Sequence, residues 1–63
     1  MNRYEMFLKV AEIGNITKTA RAVHYTQAGV SHAVTTLERE CGFALFARGT
    51  EGVTLTENGK RLM

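Results

Sequence analysis

The stretch Ile16-Thr17-Lys18-Thr19-Ala20-Arg21-Ala22-Val23-His24-Tyr25-Thr26-Gln27-Ala28-Gly29-Val30-Ser31-His32-Ala33-Val34, running on to Leu37-Glu38, decides the fold. Thr17 is well placed to cap a short helix from Lys18 to about His24, because a threonine hydroxyl can accept a free backbone N–H of the first turn. Ala20 and Ala22 are small enough to let another helix approach, and Val23 supplies apolar bulk. Tyr25 lies in a tight connection. Thr26 can then cap a longer helix from Gln27 to about Cys41. Its apolar stripe is Val30, Val34, Leu37 and Cys41, and at about 100° per residue these four share one narrow side. Ala28, His32, Thr35 and Arg39 point the other way, with Gln27 and Ser31 on the flank. Gly42 ends the helix. Gly29, inside the first turn, costs about 1 kcal/mol against alanine.

Working outward, the segment Asn2 to Ile13 repeats apolar residues at Tyr4, Phe7, Leu8 and Ala11, with Met6, Val10 and Ile13 beside them. These intervals of three and four predict a helix with a broad buried face, closed by Gly14. On the other side, Phe43, Leu45 and Phe46 form an apolar anchor. The turn-rich run Arg48-Gly49-Thr50-Glu51-Gly52 follows, then the β-branched alternation Val53-Thr54-Leu55. Residues 45–47 and 53–55 are expected to pair as a hairpin. Thr56 is placed to cap a fourth helix, with Glu57 complementing its positive end.

Sixty-three residues make one small domain near the limit at which a single core holds without staples. The composition, 44% hydrophobic and 22% charged, is that of a globular chain rather than a disordered tail. The net charge of +2 suits a polyanionic partner without demanding one. The lone cysteine, Cys41, forms no internal disulfide, the polar start carries no apolar signal segment, and no apolar run is long enough for a membrane span. A cytoplasmic location is therefore expected. The chain stops at Met63 partway through the last helix, which points to a fragment of a longer protein.

A short helix, a tight turn, a longer helix and a hairpin together suit insertion into the major groove of DNA, about 12 Å wide. In such an arrangement the second helix of the pair enters with its amino-terminal residues aimed at base edges. Those are Gln27, Ala28, Ser31 and His32, followed a turn later by Thr35, and none carries a negative charge. Gln27 can make a bidentate pair with adenine, and His32 can meet a base edge or a phosphate. Thr35, deeper along the helix, is expected at the DNA backbone. Thr26 caps the helix and can also touch phosphate. Lys18, where the shorter helix crosses the backbone, and Arg48, at the hairpin's edge, are the electrostatic candidates. Contacts of this kind hold register without specifying sequence.

The same residues carry a family resemblance. The run Ile16 to Val34 with Leu37-Glu38, then Gly42-Phe43-Ala44-Leu45-Phe46-Ala47-Arg48 and Val53-Thr54-Leu55-Thr56-Glu57-Asn58-Gly59, is similar in order and spacing to the helix-turn-helix and wing of LysR-type transcriptional regulators. The resemblance implies a mainly α winged helix-turn-helix over residues 1–55, with the helix-turn-helix at about 17–37, the wing at about 45–55, and the truncated start of a linker helix over 56–63. It implies a regulator acting as a homodimer or tetramer, with a small-molecule inducer bound by a carboxy-terminal domain absent from this chain. It also implies an interrupted palindromic operator in double-stranded DNA. The chain departs from the family's usual pattern at Ala28, often proline, at Gly29, often alanine, near Glu51, often basic, and at Cys41, often leucine.

Other readings have less to stand on. His24, His32 and Cys41 fit no zinc-ligand spacing, so no metal or other cofactor is expected. No nucleophile–base pairing or glycine-rich phosphate loop stands out, and aspartate is absent, so no enzyme is expected. The rival is a winged-helix protein-interaction module without DNA readout, a reuse this fold permits. It requires an exposed apolar patch on the helix from Gln27, against which the polar run Gln27, Ser31, His32 and Thr35 argues.

Overall fold

The computed structural model describes residues 1–50 and 52–63; the departure from the family's pattern at Glu51, where a basic residue is often found, lies outside them. The chain runs α1 (Arg3–Ile13), α2 (Ile16–Val23), α3 (Gln27–Cys41), β1 (Phe46–Gly49), β2 (Gly52–Leu55) and α4 (Glu57–Leu62). This is a winged helix-turn-helix, with three packed helices, an antiparallel hairpin and a short fourth helix.

Helix α1 begins in a reciprocal cap. The Asn2 side chain accepts the Glu5 N–H at 2.8 Å while Glu5 accepts from the Asn2 N–H. Gly14, left-handed at φ 76°, closes it. The buried face centres on Met6, Phe7 and Val10, whereas Tyr4, assigned to the stripe from its spacing, is 40% exposed. Tyr4 sits one turn before Leu8 on the edge of that face, where its ring leans on Phe7 at a centroid distance of 5.9 Å and its hydroxyl donates to the Leu62 carbonyl at 3.5 Å.

Helix α2 starts earlier than its sequence predicts. Asn15, not Thr17, is the N-cap, and its side chain accepts the Lys18 N–H at 2.9 Å. The turn through Gly14 leaves Asn15 extended at φ −157°, and asparagine is the stronger capping residue, so the helix begins at Ile16. Thr17 is thereby left exposed in the first turn. His24 is not part of the helix but its left-handed cap at φ 60°. Ala20 is buried as expected and Ala22 is exposed, so only one of the two small residues serves close packing. The contact is completed by Thr19, fully buried, whose hydroxyl donates to the Asn15 carbonyl at 2.7 Å. That bond offsets the cost of burying a polar group.

Helix α3 follows the prediction closely. Thr26 accepts the Gly29 N–H at 2.9 Å and Gly42 caps the far end at φ 83°. Val30 and Val34 are fully buried, while Leu37 and Cys41 are half-buried at the core's margin. A Cβ at Gly29 would stand 3.0 Å from the capping oxygen of Thr26, so a larger residue there requires the cap to shift by a few tenths of an ångström. At its carboxy-terminal end α3 is tied to α1 by Arg3 and Glu40, 2.7 Å apart. The Glu40 hydrogen bond, and then its charge, hold the Arg3 guanidinium above its ordinary pKa.

The wing closes the core. Leu45 and Phe46 turn inward, and Phe46 packs on Phe7 at 5.4 Å between ring centroids. Phe43, grouped with them from the apolar run, is 40% exposed, because it lies in the bend after Gly42 before the chain turns inward. The hairpin is longer and shifted relative to the predicted 45–47 against 53–55, pairing Phe46 with Leu55 through Gly49 with Gly52. Two devices hold it. One Glu38 carboxylate oxygen accepts the N–H groups of Leu45 and Phe46, at 2.7 and 3.3 Å. On the other strand, the Val53 N–H donates to the Gly14 carbonyl at 3.0 Å. Gly52, at φ 135°, passes so close to Gly14 that a Cβ would collide with the Gly14 carbonyl oxygen. Thr56 caps α4 as expected, accepting from the Gly59 N–H at 3.0 Å and donating to the Ala44 carbonyl at 2.7 Å. Among the described residues no helix is long and apolar enough to cross a membrane.

Candidate nucleic-acid interface

Burying Val30 and Val34 turns the opposite side of α3 to solvent. Gln27, Ala28 and His32 are exposed on it, and Ser31 and Thr35 are half-buried at its borders. The exposed set lies in the first two turns, beyond the cap at Thr26, and in the first of them the backbone N–H groups of Gln27 and Ala28 have no partner within the helix. Thr26 itself is exposed, but its oxygen is engaged in capping. Lys18 is exposed on the first turn of α2.

Arg48 extends from β1 toward α3, and one guanidinium nitrogen donates to the Ser31 hydroxyl at 3.1 Å. Beside this contact an open groove of about 310 Å³ runs between the start of α2, the start of α3 and the wing. Gln27 and Arg48 both line it, so the structure brings Gln27, Ser31 and Arg48 into one site. Lys18, Thr26, Ala28, His32 and Thr35 stand outside the groove's lining, along the helix surfaces around it. The groove also takes in Asn15, Thr17 and Thr50, which sequence reasoning did not select. For Thr17 the missed signal was Asn15: once Asn15 is the cap, the Thr17 hydroxyl is released to the surface.

The arrangement offers a polar helix end with a cationic arm and an open groove beside it. Chemically it is equipped to exchange hydrogen bonds with a partner broader than the site, and to meet negative charge at the wing.

Comparison with known proteins agrees with this geometry. The model of the bacterial regulatory helix-turn-helix proteins of the lysR family matches residues 1–60. The nitrogen assimilation regulatory protein nac of Klebsiella aerogenes is 40% identical, over 98% of this chain and 20% of its own length. Among solved structures, a LysR-family regulator from Eggerthella lenta is 38% identical with a TM-score of 0.87, covering 95% of this chain and 86% of that one. A complex of the CbnR DNA-binding domain with DNA is 30% identical with a TM-score of 0.87, over 98% of this chain and 74% of that one. The chain spans about a fifth of the length of the full regulators it matches. With the family model matched over nearly the whole chain and the helix-turn-helix and wing in place, the chain belongs to the LysR family of bacterial helix-turn-helix regulators.

Proposed function

We propose that this chain is the sequence-reading unit of a transcription regulator and binds double-stranded DNA with α3 in the major groove. The observation that carries the proposal is the polar outer side of α3, free of the core, with Arg48 of the wing drawn up beside it. Gln27, Ala28, Ser31 and His32 face base edges, while Lys18, Thr26, Thr35 and Arg48 meet the backbone phosphates. The similarity to the CbnR DNA-binding domain in complex with DNA supports this assignment. The regulator acts in the cytoplasm as a homodimer or tetramer, and two-fold symmetry gives an interrupted palindrome with half-sites about one helical turn or a multiple apart. A further domain of the whole regulator takes up the small-molecule inducer, and neither catalysis nor a cofactor enters the reading head's action.

The test is selection of bound sites from random duplex DNA. Repeated rounds should enrich one common half-site. A final pool with the same base composition at every position as the starting pool overturns the reading.

A further inference from the structure

Arginine has five N–H donors and no acceptor, so the direction of the Arg48–Ser31 contact is settled by chemistry: Arg48 donates, and the Ser31 oxygen accepts at 3.1 Å. A serine hydroxyl has one hydrogen and two lone pairs. With one lone pair occupied, its hydrogen must point away from the guanidinium. A helical hydroxyl can spend that hydrogen on the carbonyl four residues back, as Thr19 does on Asn15 at 2.7 Å and Thr36 on His32 at 2.9 Å. Ser31 makes no such bond among the described residues, although it lies on the same kind of helix surface and is only half-buried. Its hydrogen is therefore left for an external acceptor. The adjacent guanidinium polarises the hydroxyl, and its positive charge repels a donor approaching the remaining lone pair.

We propose that Arg48 is a positioning residue that presents the Ser31 hydroxyl as a hydrogen-bond donor, so that the pair selects an acceptor on the DNA and rejects a donor. The inference rests on the DNA-binding reading and adds to it which chemistry Ser31 recognises. Two sources supply that acceptor. One is a base edge, namely a purine N7, guanine O6 or thymine O4; the other is a phosphate oxygen. The exocyclic amino groups of adenine and cytosine are excluded as direct partners. Arg48 keeps its other N–H groups for the phosphates, so its positioning role is additional to its charge.

The experiment uses the duplex enriched by selection, with the wild-type chain, Ser31→Ala, Arg48→Ala and the double variant, each checked for helix content. In one arm, purines of the site are replaced singly by 7-deazapurines and guanines and thymines by analogues lacking O6 or O4. In the other, single phosphates are replaced by methylphosphonates. At one position, replacement should weaken wild-type binding about three- to tenfold, the value of a single net hydrogen bond, and leave Ser31→Ala unaffected. Arg48→Ala should lose most of the same sensitivity, and the double variant should bind at least about threefold better than the product of the two single losses predicts. The arm in which the position appears tells base from phosphate. If the wild type binds the selected duplex yet no replacement has a Ser31-dependent cost, the proposal is overturned while DNA binding stands. It is equally overturned if the two substitutions multiply independently, or if Arg48→Ala keeps the full sensitivity. Failure of the wild type to enrich any duplex removes the DNA-binding reading itself, and this inference with it.

Discussion

Replacing Glu38 by alanine tests how the wing is held at its working angle. One carboxylate oxygen takes two backbone N–H groups, Leu45 at 2.7 Å and Phe46 at 3.3 Å, just where the chain enters β1. A hydrogen bond to a charged group contributes about 1.5–3 kcal/mol, and the site's partial burial and the longer second bond reduce the sum to about 2–3 kcal/mol. A domain of this size commands little more than about 3–5 kcal/mol in total. The loss therefore consumes half or more of its stability and lowers the melting temperature by about 10–20 °C. Glu38→Gln keeps one neutral acceptor and should lose about half as much. Thermal melting followed by far-ultraviolet circular dichroism reads both variants. Because Arg48 lies on the strand that Glu38 secures, DNA affinity should also fall under conditions where the variant remains folded. A Glu38→Ala chain melting within about 2 °C of its parent would refute the reasoning and leave the packing of Leu45 and Phe46 as the sole anchor of the wing.

Other substitutions separate reading from folding. His32→Ala should relax preference at one base pair by about 1–3 kcal/mol while sparing non-specific binding, as measured by competition with duplexes altered at single positions. Arg48→Ala should weaken every sequence and reduce the slope of log affinity against log salt by about 1, besides its effect on Ser31. Gly52→Ala loses both the positive φ and the close pass over Gly14, so chemical denaturation should show destabilisation of more than about 2 kcal/mol. His24→Gly should instead raise stability by about 0.5–1 kcal/mol, since the left-handed cap at φ 60° is costly for a residue with a Cβ.

The parts of this fold that depend on periodicity were legible before any coordinates. The spacing of Val30 and Val34 set which side of α3 is buried, and so which side is free, and the β-branched run from Val53 placed the second wing strand. Capping was legible where one candidate stood alone, as at Thr26 and Thr56. It misled where two stood close together: Thr17 and Asn15 both suit an N-cap, and only the three-dimensional turn through Gly14 chooses between them. Apolar runs likewise do not say which member turns inward, so Phe43 was grouped with Leu45 and Phe46 although the chain bends between them. Least legible were contacts across sequence distance. Ser31 and Arg48 were each recognisable as DNA-facing candidates, but their pairing over 17 positions follows from the wing's register against α3, which no local pattern encodes. Glu38 stood next to Leu37 as part of the motif, yet its work at the start of β1 emerges only when the loop after Gly42 brings two N–H groups to it.

The most direct measurement of the central claim is a titration of the isotope-labelled chain with its selected duplex, following each backbone amide by nuclear magnetic resonance. The account predicts that the largest shifts fall on residues 26–35 of α3 and its cap and on residues 47–50 of the wing, with α1 nearly unmoved. Shifts concentrated on α1 or α4, with the amides of Gln27, Ser31 and His32 unchanged at saturation, would contradict it.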